Sequence, residues 1–147
     1  MGRFVSALAV GLLAALLPAA AQAPGEQAVR DCAATFGRAL QSADAALLRP
    51  ILPSRGKVRV RLVRLGPESG SFSASQVEAL MQGFFRQGSI QSFEVLRIEH
   101  DPKGYALIRG RVELTDRDGR PGRVDLHLAL QPEGERWVLR EIRESPS

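Results

Sequence analysis

Two histidines, each near an aspartate, are the residues of this chain best suited to acid–base or metal chemistry. His100 directly precedes Asp101, and His127 lies two residues after Asp125. Proton transfer by such groups needs an apolar setting that shifts a pKa, and a metal site needs three or four converging ligands. A proline follows Asp101, which is typical of a turn that leaves His100 in solvent. Two histidines without a cysteine partner are too few for a metal site, so the sequence predicts no metal and no cofactor.

A run of basic residues without an acid is the second candidate. Lys57, Arg59 and Arg61 alternate with aliphatic residues, which predicts a half-buried strand over residues 57–65. One interpretation is that these three side chains contact an anionic lipid, a glycan or an acidic partner. The other is that the charges lie on an exposed edge strand and prevent edge-to-edge association. No aromatic residue is interleaved with them, so binding of nucleic acid is not expected.

A helical segment is predicted before the basic strand. Residues 26–48 have apolar residues at helical spacing, with a break at Ser42-Ala43-Asp44 that favours two helical pieces. Cys32 is the only cysteine, so no intramolecular disulfide can form. We expect it to be a small apolar group on the first helix, with a disulfide between two copies as the alternative.

A second helix is predicted after a polar loop at residues 66–71. Its N-cap is Ser73 or Ser75, and Glu78 lies three residues after Ser75 in the pattern of a capping box. Gly88 is expected to end this helix. Four strands then follow, at 93–100, 105–114, 124–130 and 136–143, joined by short polar turns of which Asp118-Gly119 is a strong hairpin signal.

The register of the central hairpin can be predicted from charge. Pairing symmetrically about Asp118 sets apolar residues opposite each other on one face and opposite charges on the other. The pairs are Val112 with Val124, Ile108 with Leu128, Arg111 with Asp125 and Glu113 with Arg123. Because both faces agree on one register, the sequence predicts an antiparallel hairpin.

The inward face of these strands is aliphatic. A cavity on that face would be lined by Phe84, Phe85, Ile108, Val112, Leu126, Leu128 and Trp137. The titratable residues of the same strands are predicted on the opposite face, and they are Arg109, Arg111, Glu113, Asp125 and His127. A cavity without acid–base groups predicts that the protein is not an enzyme.

Export is predicted from the first 23 residues. Arg3 is followed by an uncharged apolar run, and Ala21-Gln22-Ala23 supplies the small residues of a signal peptidase site. Cleavage near Ala23 would leave residues 24–147 as a single periplasmic or extracellular domain with no stable membrane span. The alternative is an uncleaved membrane anchor. The whole chain of 147 residues has a net charge of +4, too mild for a nucleic-acid-binding profile.

The order of helices and strands predicts an α+β fold, and a resemblance to known proteins indicates which type of α+β fold it is. The chain is similar to the NTF2-like (cystatin-like α+β) superfamily and, within it, to the small exported bacterial domains catalogued as DUF4783. The resemblance extends over roughly residues 28–144. The segments that carry it are Ser75-Gln76-Val77-Glu78, Gly83-Phe84-Phe85-Arg86, Ser92-Phe93-Glu94-Val95, Gly104-Tyr105-Ala106-Leu107-Ile108-Arg109-Gly110 and Trp137-Val138-Leu139-Arg140-Glu141-Ile142-Arg143.

This resemblance implies N-terminal helices packed on a curved, mainly antiparallel sheet, with any ligand held between the concave sheet face and the helices. It transfers no catalytic residue. The leading hypothesis is a non-catalytic exported domain that binds a partner or associates structurally in the cell envelope. The alternatives are a binder of a small apolar ligand in the cone and, third, an isomerase- or hydratase-type enzyme. A homodimer through the sheet face is also expected from the resemblance.

Overall fold

Helices and strands follow one another along residues 25–63 and 69–145, the parts of the chain that this computed structural model describes. They are α1 (Glu26–Ser42), a 3-10 helix (Ala45–Ile51), β1 (Val58–Arg61), β2 (Ser69–Phe72), α2 (Ala74–Phe85), β3 (Gly88–His100), β4 (Ala106–Asp116), β5 (Pro121–Glu133) and β6 (Arg136–Glu144). The predicted signal peptide, residues 1–23, lies outside the described residues, as do positions 64 and 65 of the predicted basic strand. No helix of the described segments is both long and apolar enough to cross a membrane.

One sheet of six strands contains every strand of the described segments, in the order β2-β1-β6-β5-β4-β3. All neighbours are antiparallel except β1 and β6. The predicted register of the β4–β5 hairpin is confirmed at all four pairs, from Ile108 opposite Leu128 to Glu113 opposite Arg123. The α+β class and the packing of helices on a mainly antiparallel sheet are confirmed.

The first helical segment is broken where the sequence predicts it. Ala43 adopts a left-handed conformation, with φ of 50°, which an α-helix cannot continue. The Asp44 side chain then accepts a hydrogen bond from the backbone N–H of Ala46 and caps the 3-10 helix. Gln82 of α2 accepts from the Ala45 N–H at 2.9 Å, which fixes the second helical piece against α2.

The predicted capping box of α2 is wrong by two residues. Ser73 is the N-cap, and it exchanges hydrogen bonds with Gln76. Glu78 is turned instead toward the 3-10 helix, where it accepts from Arg49 at 2.8 and 3.0 Å. This bidentate pair holds the pKa of Glu78 below its usual value, since the Arg49 hydrogen bond favours the charged carboxylate.

Several helix and strand boundaries also differ from the prediction: β1 ends at Arg61, β3 starts at Gly88, and β5 extends over Pro121–Glu133. The helix α2 ends at Phe85, before the predicted end at Gly88. Gly88 is instead the first residue of β3, where it lies against the backbone of Thr115 in β4. Residues 69–71, predicted as loop, form most of β2, which pairs with β1 from Val58 opposite Phe72 onward. The basic strand β1 is therefore paired along both of its edges, with β2 on one side and β6 on the other.

The space between the sheet and the helices is filled by apolar side chains. Those with less than 2% exposure include Phe36, Leu40, Leu48, Met81, Ile108, Leu126, Leu128, Leu130, Leu139 and Ile142. They come from both helices, the 3-10 helix and strands β4 to β6. Close-packed protein interiors leave few voids larger than a water molecule.

Candidate ligand-binding site

The residues predicted to line a cavity do not surround one common space. Ile108, Val112, Leu126 and Leu128 are at most 1% exposed and pack in the core beneath the helices. Phe85 is buried as well. The inward orientation predicted for them follows from strand alternation, which does not tell which part of the inner face the helices cover.

Trp137 lies apart from the other predicted lining residues. Its indole ring is close to Gly25 at the start of α1, where an added Cβ would meet Trp137 Cζ2 at 2.8 Å. The ring of His100 stacks edge-on against it, with 6.3 Å between the ring centroids. Cys32 is buried nearby, with its Sγ 3.6 Å from the Trp137 carbonyl oxygen.

Cys32 has the environment of a small buried apolar group. Burial, and secondarily the charge of Asp31, raises the pKa of its thiol to about 11. A thiol that stays protonated is a poor nucleophile. The local structure therefore favours the packing interpretation over a disulfide between two copies.

Phe84 does line an open cavity, at the end of the inner sheet face that extends beyond α2. We call this cavity the open-end pocket; its apolar wall is formed by Phe84, Ile90, Leu114, Gly122 and Val124. Its volume is about 360 Å³. Its walls come from the end of α2, the start of β3, the end of β4 and the start of β5. Small-molecule pockets have volumes of about 300–1,000 Å³ and are mostly apolar.

Two charged residues at the rim of the open-end pocket are already engaged in the fold. The Asp116 carboxylate accepts hydrogen bonds from the backbone N–H groups of Asp118 and Arg120, both at 2.9 Å, and so holds the β4–β5 turn. Arg123 forms an ion pair with Glu113 at 3.7 Å. Asp116 and Arg123 thus stabilise the hairpin, and the side chains of Phe84, Ile90, Leu114 and Val124 give the pocket an apolar wall.

Arg109, Arg111, Asp125 and His127 lie on the outer face of β4 and β5, as the sequence predicts. Asp125 accepts from Arg111 Nε at 2.9 Å and from Arg109 at 3.2 Å. The Arg111 hydrogen bond is the largest cause that lowers the pKa of Asp125, so this carboxylate stays ionised. Burial and the neighbouring Arg143 and Arg109 lower the pKa of His127.

Neither histidine belongs to a metal site in the described segments, where no group of three His, Cys, Asp or Glu side chains could hold an ion. His100 is exposed, and Asp101 accepts from the Lys103 N–H at 2.8 Å within the predicted turn. One carboxyl group that the sequence did not single out is Glu144, which is only 7% exposed at the end of β6. It lies opposite Leu126 of β5, on the inner side of the strand alternation, and only its burial distinguishes it.

The basic residues of β1 are exposed on the outer face. Arg59 lies 3.9 Å from Glu141 of β6, and both Lys57 and Arg59 border a groove on that face. The interpretation of these charges as protection of an edge strand is wrong, because β1 has a paired strand on each side. Contact with an anion is the interpretation that stays open.

The α+β fold is similar to that of NTF2-like and cystatin-like domains. The predicted resemblance to DUF4783 proteins is confirmed as a resemblance in fold. No family model matches the chain, and no curated protein sequence matches it.

Solved structures of low sequence identity share its fold. A DUF4783 family protein from Bacteroides ovatus is 18% identical, with a TM-score of 0.60 over 76% of this chain and 91% of that chain. A protein with a ketosteroid isomerase-like fold from Catenulispora acidiphila, solved with trimethylamine, is 9% identical, with a TM-score of 0.61 over 80% and 85% of the two chains. An uncharacterised protein with a cystatin-like fold from Caulobacter vibrioides is 15% identical, with a TM-score of 0.61 over 84% and 89%.

Proposed function

We propose that this protein is a non-catalytic, exported binding domain that holds a small apolar ligand in the open-end pocket. The observation that carries the proposal is a cavity of about 360 Å³ whose wall is built from Phe84, Ile90, Leu114 and Val124. Burial of apolar ligand surface there would contribute roughly 25 cal/mol per Å². A small apolar organic molecule suits both the volume and the chemistry of the wall.

The engagement of the rim charges supports a role without catalysis. General acid–base catalysis needs a proton donor or acceptor within hydrogen-bond reach of the substrate and with a pKa near the working pH. Asp116 is committed to two backbone N–H groups, and Arg123 to Glu113. The isomerase or hydratase alternative would need two or more carboxylate, His or Tyr side chains that converge on the bound molecule.

Structural association in the envelope is the second candidate function. The dense packing of apolar side chains between the sheet and the helices favours it. In that case the outer sheet face would be the contact surface, and the homodimer that the fold resemblance implies would form through it. Native mass spectrometry of protein purified from its own periplasm or medium separates the two, because it reports a retained ligand, a partner and the oligomeric state together.

The direct test uses the neutral apolar probe N-phenyl-1-naphthylamine, whose fluorescence rises on transfer from water. We expect one saturable site in the purified protein. Gly122→Leu should abolish it, because Gly122 lines the pocket and a Cβ there meets only Leu114, at 3.5 Å, an ordinary contact distance. The substitution therefore fills the pocket without forcing the backbone to move.

Gly83→Leu is the matched control. It adds the same apolar side chain at an exposed position of α2, where nothing lies within 4 Å of the new Cβ. This variant should bind the probe as the unsubstituted protein does. Equal probe binding by both variants, or no saturable binding at all, would refute the proposal.

A further inference from the structure

The outer face of the sheet carries basic residues side by side on five neighbouring strands. The strand registers align Arg61 of β1, Arg143 of β6, His127 of β5, Arg109 of β4 and Arg97 of β3. We call this set the basic row. Neighbouring strands lie about 4.8 Å apart, so the row extends over roughly 19 Å. Its members are far apart in the sequence, and only the sheet brings them together.

Such a row is unfavourable unless anions neutralise it, because like charges directly opposite each other destabilise a pair of strands. Three arginines of the row form ion pairs with carboxylates. The ion pairs are Arg97 with Glu99 at 2.6 Å, Arg109 with Asp125 at 3.2 Å and Arg143 with Glu141 at 3.6 Å. Arg61 has no ion pair within 4 Å among the described residues, so positive charge is in excess at the β1 end of this part of the chain.

A groove of about 500 Å³ lies on this face beside β1. Its cationic side is lined by Lys57, Arg59 and Arg143, which face the single carboxylate of Glu141. Glu141 lies 3.9 Å from Arg59 and 3.6 Å from Arg143, so one carboxylate is shared by two guanidinium groups. Arg140 also lines the groove and is paired with Glu133 at 3.5 Å, so the remaining three cations and one anion leave a net charge of +2.

The opposite side of the groove is apolar. Leu107, the second residue of β4, is 37% exposed there. The registers place Ala129 of β5 between Leu107 and Glu141, and Tyr105 also lines the groove. The groove thus offers cations at one end and a hydrocarbon floor at the other.

We propose that this outer-face groove binds a small amphiphilic anion. Its phosphate or carboxylate head lies against Lys57, Arg59 and Arg143, and its apolar body lies on Tyr105 and Leu107. The planar guanidinium group matches the oxygens of both head groups and binds them in a bidentate way. The groove volume is that of a site for a small organic molecule. The site lies on the opposite side of the sheet from the open-end pocket and does not depend on a ligand there.

The test titrates the purified protein with octyl phosphate and with octanoate, followed by calorimetry and by amide chemical shifts in NMR. Inorganic phosphate and octanol probe the head and the body alone, and each should bind more weakly than octyl phosphate. Shifts should map to β1, β6 and Leu107. The comparison of octyl phosphate with octanoate tells which head group is preferred. Working in the Gly122→Leu background keeps the probe's chain out of the open-end pocket.

Two kinds of variant separate the head contact from the body contact. Arg143→Gln should weaken octyl phosphate binding about tenfold, as expected for the loss of one charge-assisted hydrogen bond. Lys57→Gln, at an exposed residue, should act in the same direction. Leu107→Ser should weaken octyl phosphate binding and leave the affinity for inorganic phosphate unchanged.

Arg38→Gln on the surface of α1 is the control of equal charge change. It should leave the affinity unchanged, and circular dichroism should show every variant folded. Equal affinities in the Arg143→Gln and Arg38→Gln proteins would overturn the proposal. Shifts confined to other faces of the molecule would overturn it as well, and so would octyl phosphate binding no tighter than inorganic phosphate.

Discussion

Phe93 of β3 lies directly against Gly110 of β4, in the position where a side chain of residue 110 would otherwise be. An added Cβ at Gly110 would lie 2.5 Å from Phe93 Cζ, closer than real Cβ contacts. The same ring packs against Phe36 of α1, with 5.4 Å between ring centroids, and closely approaches Gly37. One aromatic ring thus fills the space between the sheet and α1, and two glycines leave room for it.

Gly110→Ala should therefore destabilise the protein by about 1–3 kcal/mol, the usual cost of overpacking a core. Chemical denaturation of the two proteins measures the difference in unfolding free energy. Gly122→Ala is the control, since its new Cβ makes only ordinary contact with Leu114. Adding Phe93→Leu to Gly110→Ala should recover part of the loss, because the two residues touch and their effects are coupled. Additive effects of the two substitutions would contradict this account of the contact.

Gly83→Ala should change stability in the opposite direction. Gly83 lies within α2, is exposed, and has nothing within 4 Å of the place that a Cβ would take. Glycine inside a helix is less favourable than alanine by roughly 0.5–1 kcal/mol, so the substitution should raise the unfolding free energy by that amount. A thermal or urea unfolding curve suffices to measure it. A loss of stability would mean that the backbone of α2 needs a glycine at this position.

Glu133 should make the protein sensitive to acid. Hydrogen bonds from Ser54, first from its side chain and then from its backbone, and one from Arg136 lower the pKa of Glu133 to about 2. A folded pKa below the unfolded value of about 4.3 gives stability that is present above the unfolded value. That stability is lost as the pH falls through about 4 toward the folded pKa of about 2, when the folded carboxylate becomes protonated.

Unfolding measured between about pH 2 and pH 6 tests this for Glu133→Gln and for the unsubstituted protein. The variant should be less stable near the upper end of this range, and the difference should shrink as the pH falls. Glu135→Gln, which removes an exposed carboxylate from the same turn, is the matched control. A difference that stays constant over this range would show that Glu133 contributes through packing alone.

The β4–β5 hairpin can be predicted because its signals are local. The turn at Asp118-Gly119, the aliphatic face and the charge pairs all lie within a short stretch of the chain and agree on one register. The strand β2 cannot be predicted in this way. Its residues, Ser69-Gly70-Ser71-Phe72, do not alternate between apolar and polar, and they form a strand because β1 pairs with them. The early start of β3 escapes prediction for a related reason, as register shifts between Ile90 and Ser92 and between Val95 and Arg97 break its alternation.

The candidate site is predictable only in part. Strand alternation correctly gives the inward orientation of residues such as Ile108 and Leu126, yet α1, α2 and the 3-10 helix determine which of them stay open to a ligand. Phe84, near the end of α2, lines the open-end pocket although its side chain is only 5% exposed. The basic row cannot be predicted from any one strand, since it follows the registers of four strand pairs across the sheet.

His127 should add a second pH dependence, near neutrality. It lies in the basic row between Arg109 and Arg143, and its pKa is lowered first by burial, then by Arg143 and Arg109, against the opposing charges of Asp125 and Glu141. An unfolded histidine has a pKa near about 6.5, so below about pH 6.5 the unfolded chain takes up a proton before the folded protein does. Stability should therefore fall as the pH drops from about 6.5 toward the lower folded pKa, and level off below it.

Melting temperatures measured from about pH 8 to pH 5 test this prediction with His127→Gln, which keeps a polar side chain but cannot become charged. The variant should lose the decline below about pH 6.5, while its stability at the alkaline end stays close to that of the unsubstituted protein. His100→Gln is the matched control, because His100 is exposed beside Trp137 and outside the basic row. An identical decline in the His127→Gln protein would place the titrating group elsewhere. It would also argue against an effect of the neighbouring Arg109 and Arg143 on the pKa of His127.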